Sequence, residues 1–351
     1  MKKITTTHSL PIPFPNNMGM VRYILALIVL IVHFGELTGC AITLPPLFTS
    51  ANAVGGFFGL SGFVIYRSYQ RNTDTLHYIG RRALRILPAY FGTVLFFAFA
   101  LVLISSLSAN MYFTSTHFWK YLIANLGFVN FVEPTLPGVF SNYELPAVNG
   151  SLWTMKVEWA LYLSLPCVVA LMRRFRWNVL STCIVIYALS AVYRLFFTYL
   201  FNCTDKAMYN ILSHQFLGQL MYFYSGVAIY LSFEWLQRRK IVWLVSGLLL
   251  LAVASINEYI SIFLQPLGIT LLVVWFSMIG KWATWEARYE NLSYNIYLLH
   301  FPIIQLIIYF WGRGAENAGL KLGAAVVITM LSAWLLNRCV EQPVRRFFMS
   351  K

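Results

Sequence analysis

Three ionisable side chains interrupt the first apolar run of the chain, Met20–Leu37. Arg22 and His33 are 11 positions apart, so on a helix they share one face at a separation of about 16 Å along the axis. Glu36 follows one turn later on nearly the same face. A charge at the bilayer centre costs about 2.5–3.5 kcal/mol on insertion scales, so such residues usually mark a site. The pattern predicts a polar line around an imidazole suited to proton transfer, with packing of His33 and snorkelling of Arg22 as alternatives.

The segment Gly55–Phe63 concentrates small residues, among them Ser61 and Gly62. Small residues at this density let two helices pack closely, and they also permit a local break that exposes backbone N–H groups. Both interpretations stay open from the sequence.

The segment Arg81–Pro88 is a candidate anion site. Arg82 and Arg85 lie one helical turn apart, and the planar guanidinium is suited to forked recognition of phosphate. Membrane topology alone would also place arginines at the cytoplasmic edge of a helix, so the phosphate interpretation is one of two.

Two further stretches carry polar side chains at membrane depth. Ser151–Trp159 contains Glu158 about two turns into its predicted helix, where a carboxylate must be paired or hydrogen-bonded. In Leu292–Pro302, Tyr297 and His300 are three positions apart and can line one interior face. The proline that closes this stretch frees backbone carbonyls. Core packing is the competing explanation for His300.

The elements that position these residues follow from the composition. Of 351 residues, 59% are hydrophobic and only 11% are charged, whereas about a quarter are charged in soluble domains. The mean hydropathy is +0.66. We therefore predict an all-α polytopic membrane protein in which residues 1–351 form a single transmembrane domain, with no separate soluble domain.

Apolar stretches long enough to cross a bilayer recur along the chain, since a crossing needs roughly 20 residues. We place about ten transmembrane helices, near Met20–Leu37, Leu47–Tyr66, Ile86–Ser106, Leu152–Met172, Val179–Leu200, Ser213–Trp235, Ile241–Ile256, Tyr259–Gly280, Leu292–Trp311 and Ala318–Leu336.

Ten crossings put both termini on one side of the membrane. With both termini cytoplasmic, most of the 26 lysines and arginines fall in inner loops and termini, as the positive-inside rule requires. The net charge of +14 is thus explained by topology, and no nucleic-acid partner is expected. The five cysteines show no metal or redox spacing, and no metal is expected.

The longest non-spanning stretch is the outer loop Leu107–Gly150. Within it, Phe118–Val132 is apolar but short, and we interpret it as an interfacial or re-entrant piece because a crossing there would turn the Arg173–Arg176 cluster outward. Long loops beside a rigid scaffold often carry function. The loop carries aromatic residues, for instance Trp119, Tyr121 and Tyr143.

Taken together, these motifs resemble the acyltransferase-3 family of bacterial membrane acyltransferases, over a range from Arg22 to about Phe347. The matching elements are the Arg-x10-His signature, the Phe-Phe-x-Leu-Ser-Gly-Phe stretch, the Arg-x-x-Arg pair before Leu-Pro-x-Tyr, the Leu-Trp-x-x-x-x-Glu element and the Ser-Tyr-x-x-Tyr-Leu-x-His-x-Pro element. In this chain they are Arg22 and His33; Phe57–Phe63; Arg82, Arg85, Leu87, Pro88 and Tyr90; Leu152, Trp153 and Glu158; and Ser293, Tyr294, Tyr297, Leu298, His300 and Pro302.

Two departures from the family pattern are visible. Many members carry a second acidic residue after the glutamate, where this chain has Trp159. Fused members add a periplasmic esterase-like domain, and its absence from this sequence suggests a stand-alone transferase.

The resemblance implies transfer of an acetyl or other short acyl group to a hydroxyl of a cell-surface carbohydrate, such as O-antigen of lipopolysaccharide or exopolysaccharide. Acetyl-CoA would be the co-substrate, and the protein would reside in the bacterial inner membrane. The expected partners are a glycan or lipid-linked sugar acceptor and membrane lipid. With such an acceptor, the outer-loop residues Trp119, Tyr121 and Tyr143 could stack on sugar faces.

In the mechanism we expect, His33 is the general base on the acceptor hydroxyl, and a covalent acyl-histidine intermediate is an open alternative. Glu36 orients the imidazole, Glu158 orients it or binds sugar hydroxyls, and Arg22 holds the donor or stabilises negative charge. The donor would be bound by Arg82, Arg85, Ser61 and Gly62, and the substrate would be lined by Trp153, Tyr297 and His300.

A multi-pass transporter, or a flippase-like partner of polysaccharide export, is the competing functional class. It too would show intramembrane charges and broken helices. It would move substrate without consuming acetyl-CoA.

Overall fold

The computed structural model describes residues 16–71, 74–279 and 292–349. Every regular element in these ranges is helical. Short 3₁₀ turns occur at Leu101–Ile104 and Gly150–Leu152, and a π turn at Asn337–Glu341. The α-helices are α1 Met18–Thr38, α2 Ser50–Arg71, α3 Thr75–Ala100, α4 Ala109–Thr114, α5 Thr116–Leu126, α6 Trp153–Phe175, α7 Val179–Thr204, α8 Ala207–Ser213, α9 Phe216–Leu231, α10 Phe233–Arg238, α11 Lys240–Ala254, α12 Glu258–Met278, α13 Ser293–Trp311, α14 Ala318–Leu336 and α15 Gln342–Met349.

Seven helical segments within the described ranges are long and apolar enough to cross a membrane. They are Met18–Thr38, Thr75–Ile104, Gly150–Phe175, Val179–Thr204, Glu258–Met278, Ser293–Trp311 and Ala318–Phe348. A multi-pass, all-helical architecture is therefore confirmed. The count of ten and the cytoplasmic placement of the termini stay predictions.

The other three predicted crossings also coincide with helices, namely α2, α9 and α11. Of these, α9 has 16 residues and α11 has 15, fewer than the roughly 20 that a perpendicular crossing takes. α2 has 22 residues but is rich in glycine, serine and other polar residues. Most of its side chains are buried within the protein, so this helix need not present an apolar surface to lipid.

The outer loop contains two short helices, α4 and α5. With 11 residues, α5 is only about 16 Å long, compared with a hydrocarbon core of about 30 Å, so it cannot cross as a helix. This length agrees with the non-spanning interpretation of Phe118–Val132. Tyr121 in α5 is buried and therefore cannot stack on a sugar, whereas Trp119 is exposed.

The described residues separate into two compact units. The first unit takes those of Met1–Arg22, Val54–Ile79 and Val157–Glu290, and the second takes those of Tyr23–Ala53, Gly80–Lys156 and Asn291–Lys351. Both units gather helices from separated parts of the chain, and the prediction of one transmembrane domain is not decided by this division.

In the first unit, α2 and α9 are in backbone contact. A Cβ atom added to Gly62 would lie 1.9 Å from the carbonyl oxygen of Phe223, and one added to Gly226 would lie 1.9 Å from the carbonyl oxygen of Gly59. No side chain fits at either position. The small residues of this segment therefore serve helix packing, one of the two interpretations left open by the sequence.

In the second unit, α13 is the most enclosed helix, with buried residues on all its faces from Ser293 to Ile308. Asn295 donates to the carbonyl oxygen of Ala333 on α14 at 3.2 Å. Tyr294 donates from its hydroxyl to the carbonyl oxygen of Ile86 on α3 at 3.0 Å. A helix buried on every side is a rigid support for the polar groups that it carries.

Candidate active site

His33 and His300 meet ring to ring in the second unit. Nδ1 of His33 is 2.8 Å from Nε2 of His300, and the two ring planes are inclined by only 11°. The ring centroids are 5.1 Å apart. This distance is about the nitrogen–nitrogen distance plus the radii of the two imidazole rings, as expected if the rings lie end to end. The rings therefore meet edge to edge in nearly one plane, as a hydrogen bond between nitrogens requires.

The backbone contact of His300 determines where the protons of this pair lie. Nδ1 of His300 is 2.7 Å from the carbonyl oxygen of Tyr297, and because a carbonyl only accepts, this nitrogen must carry a hydrogen. Nε2 of a neutral His300 is then an acceptor, so Nδ1 of His33 donates to it. The neutral His33 ring consequently keeps its lone pair on Nε2, where it can accept a proton from a substrate.

A proline creates the backbone geometry around this pair. Pro302 has no N–H to donate to the carbonyl oxygen of Leu298, four residues earlier, and Asn149 supplies the missing donor from its Nδ2 at 2.8 Å. The other side-chain atom of Asn149, Oδ1, accepts from the backbone N–H and hydroxyl of Ser151. The prediction that the proline frees a carbonyl is confirmed, and this carbonyl ties the end of the outer loop to α13.

The side chain of Tyr297 is fixed by the start of the helix that carries Glu158. Thr154 Oγ1 lies 3.0 Å from the carbonyl oxygen of Ser151 and 2.9 Å from the Tyr297 hydroxyl. The Thr154 hydroxyl therefore joins the Tyr297 hydroxyl to the start of α6. Trp153, the predicted lining residue, is half-buried at the first position of α6.

The His33 ring also packs against Phe301. The two ring centroids are 5.8 Å apart and the planes are inclined by 77°, an edge-to-face contact. Aromatic edge-to-face pairs contribute about 0.5–1.5 kcal/mol beyond area burial. The imidazole is thus held by one polar and one apolar partner from the same buried helix.

Glu36 makes no hydrogen bond to this pair of described residues. The sequence interpretation gave Glu36 the role of orienting His33. In the structure, Nδ1 of His33 is hydrogen-bonded to His300. Within the part of the chain that the structure describes, Glu36 makes no hydrogen bond or ion pair. One turn further along α1, its carboxylate is exposed and lines a cavity with Glu144 and Arg313. The hydrogen-bonding partner of the His33 ring in the structure is thus His300, and an orienting role for Glu36 stays a prediction.

Glu158 belongs to a separate polar network in the first unit. Its carboxylate accepts a hydrogen bond from the hydroxyl of Tyr162, one turn later on α6. That hydroxyl is also 3.4 Å from Oγ of Ser61. The carbonyl oxygen of Tyr162, which Pro166 leaves without its helical donor, accepts from the hydroxyl of Tyr78 at 3.0 Å. The predicted need of Glu158 for a hydrogen-bonding partner is thus met by tyrosine.

The predicted donor residues lie in both units. Ser61 and Gly62 are in the first unit, where Ser61 contacts Tyr162 and Gly62 packs against α9. Arg82 and Arg85 are in the second unit, half-buried in the first half of α3.

Arg81 belongs to the same segment, Arg81–Pro88, but the sequence analysis gave it no role in binding the donor. Two of its guanidinium nitrogens, Nε and Nη2, are shielded from solvent. Neither has a hydrogen-bond partner among the described residues. Buried donors without partners are costly, so Arg81 is suited to hold an anion.

Arg22 lies in α1 with His33 but belongs to the first unit and is half-buried. Its role in holding the donor or stabilising charge stays a prediction. In the described part of the chain there is also no group of three or more His, Cys, Asp or Glu residues arranged to hold a metal ion.

Comparison with known proteins gives two matches. The acyltransferase-3 model, described as an acyltransferase domain, matches residues 16–338. Nodulation protein 10 of Rhizobium leguminosarum bv. viciae is 28% identical over 329 residues, which cover 86% of this chain and 83% of that protein. No solved structure shows a significant match.

The family match spans nearly the whole chain and contains every residue of the histidine pair, the Glu158 network and the arginine cluster. Membership of a family of membrane acyltransferases explains why this multi-pass helical protein has polar groups buried among its helices. The chain is therefore a member of the acyltransferase-3 family of membrane acyltransferases.

Proposed function

We propose that this acyltransferase moves an acetyl or other short acyl group from acyl-CoA to a hydroxyl of a cell-surface carbohydrate, such as O-antigen or exopolysaccharide, in the bacterial inner membrane. The hydrogen-bonded pair of His33 and His300 is the observation that carries the proposal. It supplies an imidazole whose proton-accepting nitrogen is fixed by a second ring and by the backbone of α13.

The transfer step follows from the proton positions of the pair. Nε2 of His33 takes the proton of the acceptor hydroxyl as the hydroxyl oxygen attacks the thioester carbonyl carbon. A C–O bond forms, the C–S bond breaks, and the departing CoA thiolate receives the proton from His33. General-base catalysis of this kind contributes about 10²–10⁴ in rate.

His300 acts through His33 and is a positioning residue. Its Nε2 accepts from Nδ1 of His33, which holds the ring in the tautomer whose other nitrogen is free. When His33 becomes an imidazolium, this hydrogen bond gains strength because its donor is then charged. The arrangement follows the logic of the carboxylate that orients a catalytic histidine in hydrolase triads.

For the donor, we place the phosphates of acyl-CoA at the arginines of α3. Arg82 and Arg85 lie one turn apart, and Arg81 adds two solvent-shielded donors. Several fixed cations suit the several negative charges of the nucleotide end of CoA. Glu158 and Arg22 lie in the first unit, and the roles that the sequence suggests for them stay predictions.

The proposal is tested with membranes that contain the protein, radiolabelled acetyl-CoA and the envelope glycan fraction. Wild type should place label in the glycan, and His33→Ala at equal membrane level should reduce the rate at least 100-fold. His77→Ala is the matched control, because His77 is an exposed histidine of α3 and should leave the rate unchanged. Unchanged labelling by His33→Ala would refute the assignment of the base.

The same assay separates the enzyme from a transporter. A transporter or flippase-like export partner would place no label in glycan with any variant. Incubation of acetyl-CoA with labelled free CoA in the absence of glycan also tests for the acyl-histidine alternative, because a covalent intermediate would let wild type move the acetyl group onto the labelled CoA, and His33→Ala would not.

A further inference from the structure

A cavity of about 460 Å³ lies in the second unit next to the histidine pair. Its lining includes Glu36 of α1, Gln305 of α13, Arg313 in the turn after α13, and the outer-loop residues Asn142, Tyr143 and Glu144. Its volume falls within the range typical of small-molecule sites, about 300–1,000 Å³. None of these side chains is used by the transfer step described above.

The cavity is positioned along the two helices that carry the histidines. Glu36 follows His33 by three residues on α1, and Gln305 follows His300 by five residues on α13. At 1.5 Å per residue these offsets correspond to about 4.5 Å and 7.5 Å of helical rise. The cavity thus begins about one turn beyond the histidine pair, toward the same end of the second unit as the outer loop.

Hydrogen bonds to backbone carbonyls fix the wall that the outer loop contributes. Nε2 of Gln305 donates to the carbonyl oxygens of Leu145 at 2.7 Å and Ala147 at 3.1 Å. Tyr143 stacks on Phe140, with centroids 5.2 Å apart and planes inclined by 24°. The wall is therefore held by α13 itself, and it presents an amide and an aromatic ring beside the cavity.

The turn that carries Arg313, another part of the cavity lining, is fixed in the same way. Nζ of the buried Lys321 donates to the carbonyl oxygen of Gly312 at 2.9 Å and reaches that of Gly314 at 3.4 Å. This contact secures the turn that carries Arg313. The guanidinium of Arg313 in turn donates to the carboxylate of Glu144 at 2.7 Å, which links this turn to the outer loop.

The charges of the cavity do not cancel. Arg313 neutralises Glu144, whereas Glu36 has no cationic or hydrogen-bonding partner in the described ranges 16–71, 74–279 and 292–349. An ionised carboxylate accepts hydrogen bonds through two oxygens and donates none. Sugar hydroxyls are donors of the required kind, and a second anion close to Glu36 would be repelled.

From this geometry we infer that the cavity receives the sugar ring that carries the acceptor hydroxyl, and that Glu36 binds hydroxyls of that ring and selects neutral sugars against those bearing a carboxylate or a phosphate. The inference rests on the proposed transferase function. It reassigns Glu36 from orienting His33 to binding and discriminating the acceptor.

The test uses membranes with radiolabelled acetyl-CoA and the host envelope glycan fraction as the acceptor. Glu36→Gln should raise KM for the glycan about tenfold, the value of one charge-assisted hydrogen bond, and should change kcat less than KM. Glu316→Gln is the matched control, because Glu316 is exposed after α13 and does not line the cavity. Glu36→Asp, which keeps the charge, should restore most of the lost affinity even if the glutamine variant is poorly folded.

The labelled products are then cleaved with glycosidases at neutral pH, which leave the O-acetyl ester intact, and the fragments are separated by charge. Acetyl label on neutral sugars supports the inference, and label predominantly on uronic acids or phosphorylated sugars overturns it. An unchanged KM for Glu36→Gln at normal protein level overturns it as well. If wild type places no label in glycan, the transferase proposal itself fails, which distinguishes that failure from a failure of the acceptor cavity.

Discussion

Replacing His300 separates its positioning role from simple packing. His300→Gln keeps a side-chain oxygen that can accept from Nδ1 of His33, whereas His300→Leu fills a similar volume without any acceptor. The hydrogen bond in question joins Nδ1 of His33 to Nε2 of His300 at 2.8 Å. If His300 acts as proposed, the two variants should differ in rate, with leucine the more impaired.

The size of the effect follows from the change of charge during the reaction. A hydrogen bond between neutral groups contributes about 0.5–1.5 kcal/mol, and one to a charged group about 1.5–3 kcal/mol. Since His33 becomes charged only as it takes the proton, the difference of about 1–1.5 kcal/mol appears in the transition state. His300→Leu should therefore lower kcat about 10-fold from this term, and up to 100-fold if the tautomer is also lost.

Initial rates with radiolabelled acetyl-CoA, measured at several glycan concentrations, give kcat and KM separately. The account predicts a lowered kcat with little change of KM for His300→Leu, and partial recovery of kcat for His300→Gln. Wild-type kcat in His300→Leu would refute the positioning role. A rise of KM alone would instead assign His300 to acceptor binding.

Further predictions concern the donor site, the helix packing and the cavity rim. Arg81→Met should raise KM for acetyl-CoA about tenfold and leave KM for glycan unchanged, and an equal effect on both substrates would contradict a donor role. Gly62→Ala should lower the amount of folded protein in the membrane, because the added methyl group would overlap a backbone carbonyl. Gly80→Ala is the control and should be neutral, because an added Cβ there meets nothing within 4 Å. Equal membrane levels of the two variants would contradict the close packing. The hydrogen bond from Arg313 lowers the pKa of Glu144, so the contribution of this pair is present above the ordinary carboxyl pKa of about 4.3 and is lost as the pH falls through the lower folded-state value. At pH 7, Glu144→Gln should therefore make the outer loop more sensitive to protease than it is in wild type. At pH values below that range, the two proteins should be cleaved equally fast. Equal protection of the variant and wild type at pH 7 would contradict a stabilising role of the ion pair.

The sequence was sufficient for the helical architecture because hydrophobic length is a local property. Each of the ten predicted crossings coincides with a helix, and 11 residues in α5 are too few for an eleventh. Local apolarity does not reveal which helices are surrounded by protein. α2 is polar because it is buried against other helices rather than lipid, and hydropathy alone cannot make this distinction.

The site was only partly accessible to sequence reasoning because its decisive contacts join distant positions. His33 and His300 are 267 residues apart, and periodicity within one helix relates Glu36 to His33 but not to a ring on another helix. Pro302 was a local signal for a different long-range contact, since a proline within a helix leaves a carbonyl in need of an external donor, here Asn149. Arg81 could have been found only from burial, because its sequence context is shared with its arginine neighbours.

The most direct measurement of the central claim is mass spectrometry of the envelope glycans from cells that carry wild type, the His33→Ala variant or no copy of the gene. We predict that glycans of wild-type cells are heavier by one acetyl group per modified repeat, and that the other two strains share the same lighter spectrum. Identical glycan masses in all three strains, with the wild-type protein present in the membrane, would contradict acyl transfer to surface carbohydrate. An acetyl shift that persists in His33→Ala cells would contradict the catalytic role of the histidine pair.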